Sequence, residues 1–484
     1  MSTTKESVVK GIFKYSISNW IGIVVGFVSV VITTRLIKPD VYGIITLFLS
    51  AANVMIYILT LGMDSACIRF YNEPLAGNTQ SQLLYKNLII TSIICFSMGS
   101  ACVLFLPSSV SNYIFGFSSR LIIGLLLIFT FCQIILRFLN ISYRMSFNAK
   151  MYNIQNVLIN CSYRVLIIAA ALIRNDSLFI ITILTLGLLV ILLFYLYIQR
   201  SEITPRGNNG VVSFSISLKG YGEYMRYAIF NAPTYIVTYF NIFASQYIIR
   251  DVMSAFFLGV FSSTSAFTSI LSVVKGGFST FWSAYVFKEY TEENNTIIKM
   301  HDYLVVFTIV VTSLLVCCRD IVYLAIGQDY HDSKSFFSLL LIMPILSFVE
   351  ETTDKGVAIS KKSQIWMFTH IISALVNITL CYILVHYYGL MGAAWASAIS
   401  AIILYGLNTY WGQHYYRTIK SYWKSFFGVL LLIIELIIPS LTLNIYLIIA
   451  SCIVLDIIAF YLYREELSFI FNRITNEAVK LLKN

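Results

Sequence analysis

Long apolar runs separated by short polar turns dominate this chain. They fall at about Ile12 to Thr33, Val41 to Gly62, Tyr85 to Leu106, Leu121 to Ile141, Met151 to Ile173, Leu178 to Ile198, Tyr221 to Ile249 and Ala255 to Val274. Further runs follow at about Tyr303 to Cys318, Phe336 to Val349, Ile365 to Val385, Met391 to Tyr410, Tyr422 to Pro439 and Leu441 to Tyr463. A helix rises about 1.5 Å per residue, so a run of about 20 residues crosses roughly 30 Å of hydrocarbon. The pattern predicts an all-α polytopic membrane protein with about 14 transmembrane helices.

The stretch from Lys361 to Ser400 is the most informative. Two lysines open it, an apolar run follows, His386-Tyr387-Tyr388-Gly389 makes a turn, and a second run begins at Met391. This predicts a transmembrane hairpin. Its second helix carries Gly392, Ala393, Ala394, Ala396, Ser397, Ala398 and Ser400, a run of small residues that lets another helix backbone approach closely.

Two sets of six runs resemble one another. Val9-Lys10-Gly11 opens the first run of one set and Leu218-Lys219-Gly220 that of the other; Val41-Tyr42-Gly43-Ile44 matches Phe257-Leu258-Gly259-Val260; Asn148-Ala149-Lys150-Met151-Tyr152 matches Lys362-Ser363-Gln364-Ile365-Trp366. The offsets lie between roughly 209 and 216 residues, as one duplicated unit would give. Six helices per copy return the chain to its starting side, so the copies are parallel repeats about an axis along the membrane normal. The expected organisation is an N-terminal lobe at 1–200, a linker at 201–219, a C-terminal lobe at 220–412, an extra helix pair at 413–463 and a cytoplasmic tail at 464–484. The tail carries Leu467, Phe469, Ile470, Phe471 and Ile474, the pattern of a short interfacial helix.

Composition agrees. The 484 residues are 58% hydrophobic and 12% charged, about half the charged fraction of a soluble domain. The net charge of +10 is explained by basic cytoplasmic loops and not by nucleic acid. With the amino terminus inside, cytoplasmic segments hold about 22 Lys and Arg and outer segments about seven, which sets the orientation. The first run is too long for a signal-peptide core and is expected to stay in the mature protein. None of the nine cysteines forms a CxxC pair, so neither a metal site nor a disulfide framework is expected.

Charges within apolar runs are expensive and mark function. Arg137, Arg164 and Lys275 fall within the fourth, fifth and eighth runs, the last in Val274-Lys275-Gly276-Gly277, where glycines can break a helix. Arg164 lies deepest, roughly 20 Å from the start of its helix. Among acids, Asp64 closes the second run with Arg69 after it, and Glu350, Glu351 and Asp354 cluster with Lys355. These four charges suit a helix end in water, an ion pair or a proton-coupling carboxylate. Glu435 and Asp456 stand at different levels of the last two helices, which argues against direct contact.

The hairpin, with its basic end, Asn377, the turn Tyr387-Tyr388-Gly389-Leu390-Met391-Gly392-Ala393-Ala394 and its small-residue helix, resembles the polysaccharide transporter family, the O-antigen and oligosaccharide-lipid flippases of the multidrug/oligosaccharidyl-lipid/polysaccharide exporter superfamily. The sequence Leu61-Gly62-Met63-Asp64 followed by Arg69-Phe70 resembles the same family; the acidic cluster at Glu350 and Glu351 departs from it. The resemblance implies a flippase, not an enzyme, in a bacterial cytoplasmic (inner) membrane. Its substrate would be an undecaprenyl-diphosphate-linked oligosaccharide, moved to the outer leaflet by alternating access. It further implies no cofactor beyond a proton or sodium gradient, and partnership with a polysaccharide polymerase and chain-length proteins. Arg164, Arg137, Lys275 and Arg69 are then candidates for the diphosphate, since guanidinium binds phosphate bidentately and stays charged. Asp64, Glu350 and Glu351 are candidates for ion coupling. Tyr57, Tyr235, Tyr239 and Tyr247 could stack on sugars, although most of the 33 tyrosines suit packing or an interfacial belt. A multidrug-type cation-coupled exporter is the alternative. A glycosyltransferase or polymerase needs catalytic acids in a sizeable outer loop, and the outer loops here are short.

Overall fold

The computed structural model describes residues 21–22, 24–71, 79–105, 108–146, 148–205, 221–290 and 295–468. Most of the first apolar run, most of the expected linker and the tail beyond 468 lie outside them. Every regular element described is a helix. In chain order they are α1 (Val24–Leu36), α2 (Pro39–Thr60), α3 (Met63–Phe70), α4 (Gln80–Phe105), α5 (Ser108–Phe115), α6 (Arg120–Met145), α7 (Ala149–Ile173), α8 (Ser177–Ile198), α9 (Arg200–Ile203) and α10 (Tyr221–Val252). There follow α11 (Ala255–Thr268), α12 (Ile270–Glu289), α13 (Asn295–Cys317), α14 (Arg319–Ala325), a 3-10 turn (Gln328–Ser335), α15 (Phe337–Glu350), α16 (Lys355–Ile359), α17 (Gln364–Tyr415), α18 (Tyr422–Leu441) and α19 (Ile445–Leu462).

Local chemistry sets several helix starts. Pro39 and Asp40 stand in the first turn of α2, where proline loses no intrahelical bond and an acid favours the positive helix end. Asn148, Asp176 and Ser421 cap α7, α8 and α18 by accepting from the backbone N–H of Met151, Phe179 and Lys424, each worth about 1 kcal/mol.

Nine helices among the described residues are long and apolar enough to cross a membrane, ten if the 3-10 turn and α15, bent by 66°, count as one span. The chain is a multi-pass membrane protein. The figure differs from about 14 because α4 and α10 fall outside this set, α1 is short, and α17 is a single 52-residue run. That run is a hairpin. Gly389 inside it has φ 58° and ψ −138°, a region open to glycine alone, and the Ser373 hydroxyl donates to the Ser400 carbonyl at 3.1 Å. In a straight helix those two residues would stand about 40 Å apart. Gly392, Ala393, Ala394, Ala396, Ala398 and Ser400 are all buried, so the small residues do serve packing.

The described residues divide into two compact units, one drawn from Met1–Ser263 with Gly327–Tyr330, the other from Thr264–Ile326 with His331–Asn484. The packing boundary between these units falls within α11. The reason is that α10 belongs by contact to the first unit. The Tyr224 hydroxyl donates to the Met63 carbonyl at 2.6 Å, Tyr221 to Asn87 Oδ1 at 3.1 Å, and Ser50 to Gln246 Oε1 at 2.6 Å. In the first unit α2 packs on α6 and α10, and α7 on α8; in the second, α15 packs on α17 and α18, and α13 on α18 and α19. The glycines after Lys275 do not break a helix: α12 runs through them, and the interruption lies at Ser269.

Candidate functional site

A charged cluster in the first unit begins at a backbone break. Leu61 and Gly62 both take positive φ, 42° and 76°, which ends α2 and starts α3 in a new direction. Glycine is required at 62 twice over, because a Cβ there would also collide with the Ala228 carbonyl of α10. Asp64 thereby enters the first turn of α3, where the helix end favours its charge. Its carboxylate meets Arg137 of α6 at 2.5 Å, with the aspartate side chain 5% exposed and the arginine 36%. Arg137 also donates to the Tyr57 hydroxyl at 3.0 Å, and its guanidinium lies 4.8 Å from the centre of that ring. Tyr57 in turn stacks on Tyr239 and Tyr235, with centroids 4.5 and 5.4 Å away. A cation over an aromatic face is held by the ring quadrupole. Asp64 and Arg137, expected in separate roles, are one ion pair. Three of the four tyrosines considered for sugar stacking stack on one another.

Arg164 of α7 is held differently. It donates to the Ser29 hydroxyl of α1 at 2.7 Å and lies over Gly26, where a Cβ would come within 3.0 Å of its guanidinium. It is half-buried, and among the described residues no carboxylate pairs with it. Among the described residues its positive charge thus has no ion-pair partner, within an apolar helix that is long enough to span. Arg69 is exposed at the end of α3, 5.7 Å from the Phe70 ring centre.

In the second unit Lys275 of α12 pairs with Glu351 at 3.5 Å. Glu351 also pairs with Lys355 at 2.7 Å and accepts from Ser279 at 2.8 Å, and Lys355 reaches Asp354 at 3.5 Å. Glu351, Asp354 and Lys355 thus form an ion-pair network at the turn between α15 and α16, with Glu351 and Lys355 buried. Glu350, the last residue of α15, accepts from Asn408 at 2.9 Å and makes no ion pair among the described residues. The cationic candidates thus occupy distinct settings: paired (Arg137, Lys275), without a carboxylate partner among the described residues (Arg164) and exposed (Arg69).

Several polar contacts are not foreshadowed in the sequence. His301 of α13 is fully buried between the Thr352 and Ser425 hydroxyls at 2.9 and 2.6 Å. Arg319 of α14 is 0% exposed and donates to the Pro439 carbonyl at 3.2 Å. Glu435 and Asp456 are joined through Ser313. No pattern of spacing along the chain announces these contacts, because each links separate helices. No group of three or more metal-ligating side chains occurs among the described residues.

The fold has solved relatives. It is similar to the lipid II flippase MurJ in an inward closed conformation, with a TM-score of 0.67 and 18% identity over 95% of this chain and 99% of that one. It is also similar to a multidrug resistance MATE family transporter of the MOP superfamily. The inward-facing form gives a TM-score of 0.56 and 13% identity over 81% of this chain and 94% of that one. The outward-facing form gives 0.55 and 14% over 84% and 95%. No curated protein sequence matches. The model of the polysaccharide biosynthesis protein family matches residues 8–287, more than half of the sequence, and the chain belongs to that family.

Proposed function

We propose that the protein is a flippase that carries an undecaprenyl-diphosphate-linked oligosaccharide from the cytoplasmic to the outer leaflet of a bacterial inner membrane, its amino terminus inside. Family membership supports a polysaccharide precursor as cargo, and the shared fold with a lipid flippase and with exporters supports transport over catalysis. The observation that carries the reading is Arg164. A guanidinium without a counter-anion in a spanning helix is costly, and a diphosphate headgroup supplies the missing charge in bidentate form.

The Asp64–Arg137 pair adds a switch. While Asp64 is ionised it holds Arg137; protonation of Asp64, or a competing diphosphate, releases the guanidinium toward the cargo. Alternating access of two repeat-related halves would then expose the headgroup on one side and the other, driven by a proton or sodium gradient. A polymerase and chain-length proteins would take the product at the outer leaflet.

The test uses purified protein in liposomes loaded with lipid-linked oligosaccharide. Movement of chemically unchanged sugar lipid between leaflets is expected. A cleaved or elongated sugar would identify an enzyme, and cation-driven efflux of drugs without lipid movement would identify the exporter alternative.

A further inference from the structure

Helices α13, α18 and α19 pack against one another, and each sends one polar side chain to a common point. The Ser313 hydroxyl contacts Glu435 Oε1 and lies 2.8 Å from Asp456 Oδ2. Glu435 is 1% exposed, and its other oxygen, like that of Asp456, is buried with no hydrogen-bond partner among the described residues. Among the described residues no cation balances the acids there: the ion pairs of this unit use Lys275, Arg319, Lys334, Lys355 and Lys424 with other carboxylates. Cys317 and Cys452 are the other titratable side chains beside the pair, and the Cys452 thiol is a hydrogen-bond neighbour of the Glu435 carboxyl. Helix α15, which also packs on α13 and α18, has no ionisable side chain from Phe337 to Val349.

A serine hydroxyl owns one hydrogen. It can donate to one carboxylate and not to two. With both acids ionised, one oxygen would face the hydroxyl lone pairs, and two like charges would share a buried site without a counter-ion, which such pairs avoid by keeping a proton. With one acid protonated, that acid donates to Oγ, Oγ donates to the other acid, and every hydrogen is used. We propose that Glu435 and Asp456 share a single proton through Ser313, so that α13, α18 and α19 form a membrane-embedded proton-binding site. The ligand is the proton itself, and the site does not depend on what the protein transports.

Infrared spectroscopy of the purified full chain at neutral pH tests this, reading the carbonyl stretch of protonated carboxyl groups by its shift in heavy water. The wild type should show a protonated-carboxyl band that E435Q/D456N lacks. Identical spectra from wild type and a folded double variant would overturn the proposal, as would loss of the wild-type band on adding sodium, which would make the site a sodium site. Should the double variant not fold, a hydrophobic carbodiimide, which attacks protonated carboxyls, is applied to wild type. Modification of Glu435 or Asp456 found by peptide mapping would uphold the proposal, and both remaining unmodified would overturn it.

Discussion

Gly43 and Gly259 each stand where a Cβ would strike the helix of the other, with the same offset. A side chain on Gly43 would collide with the carbonyl of Ala255, four residues before Gly259; one on Gly259 would collide with the carbonyl of Pro39, four residues before Gly43. In a twofold contact residue i meets j as j meets i, and these are positions that the duplicated pattern already equates. The two close approaches are reciprocal, and they bring the backbones of α2 and α11 together at glycines. Leucine at either glycine overfills the crossing and costs about 1–3 kcal/mol. Gly43→Leu and Gly259→Leu should each lower the melting temperature in detergent. Gly276→Ala, where a Cβ meets nothing within 4 Å, should not.

The Asp64–Arg137 pair predicts non-additivity. Asp64→Asn leaves a partly buried guanidinium without its anion, and Arg137→Gln leaves a buried carboxylate. Each single change should destabilise more than half as much as the two together, with a coupling energy of about 0.5–3 kcal/mol in a double-mutant cycle of chemical unfolding. Additive losses would mean that the 2.5 Å contact contributes nothing.

Asp320 gives a pH dependence outside the spans. Burial alone would raise its pKa, but hydrogen bonds from Lys334 and Arg319 outweigh this and hold the carboxyl below the usual aspartate range. A depressed folded-state pKa stabilises above the unfolded value, about 3.9, and that contribution disappears as pH falls through the folded value. Wild type should therefore melt above Asp320→Asn at neutral pH, by a small margin because the site is partly exposed. The difference should begin to shrink as pH falls past about 3.9 and vanish once the pH is below the folded value. A margin constant with pH would contradict the assignment.

The helices were legible in the sequence because hydrocarbon thickness imposes a run length, and the α17 hairpin because its turn glycine and small residues are local signals. The tertiary pairings were not. Asp64 and Arg137 were each recognisable as misplaced charges, yet 73 positions separate them and nothing in either segment names the other. Lys275 was legible as a misplaced charge too, but its pairing with Glu351, 76 positions on, was not. Ser313 looked like any helical serine, and only three converging helices make it a bridge. The count of spans stayed open for a related reason: α10 carries Glu223, Arg226 and Arg250 within its 32 residues, so its polarity and its length point in different directions.

Arg164, with no carboxylate partner among the described residues, is the proposed contact for an anionic headgroup. The direct measurement is the affinity of purified protein for undecaprenyl diphosphate, comparing wild type with Arg164→Gln. Among the described residues the change removes one charge-assisted hydrogen bond from the fold, worth about 1.5–3 kcal/mol, while relieving a half-buried charge, so the variant should remain folded. Binding should weaken by about tenfold or more, equivalent to about 1.4 kcal/mol. An unchanged affinity in a folded Arg164→Gln protein would contradict the account.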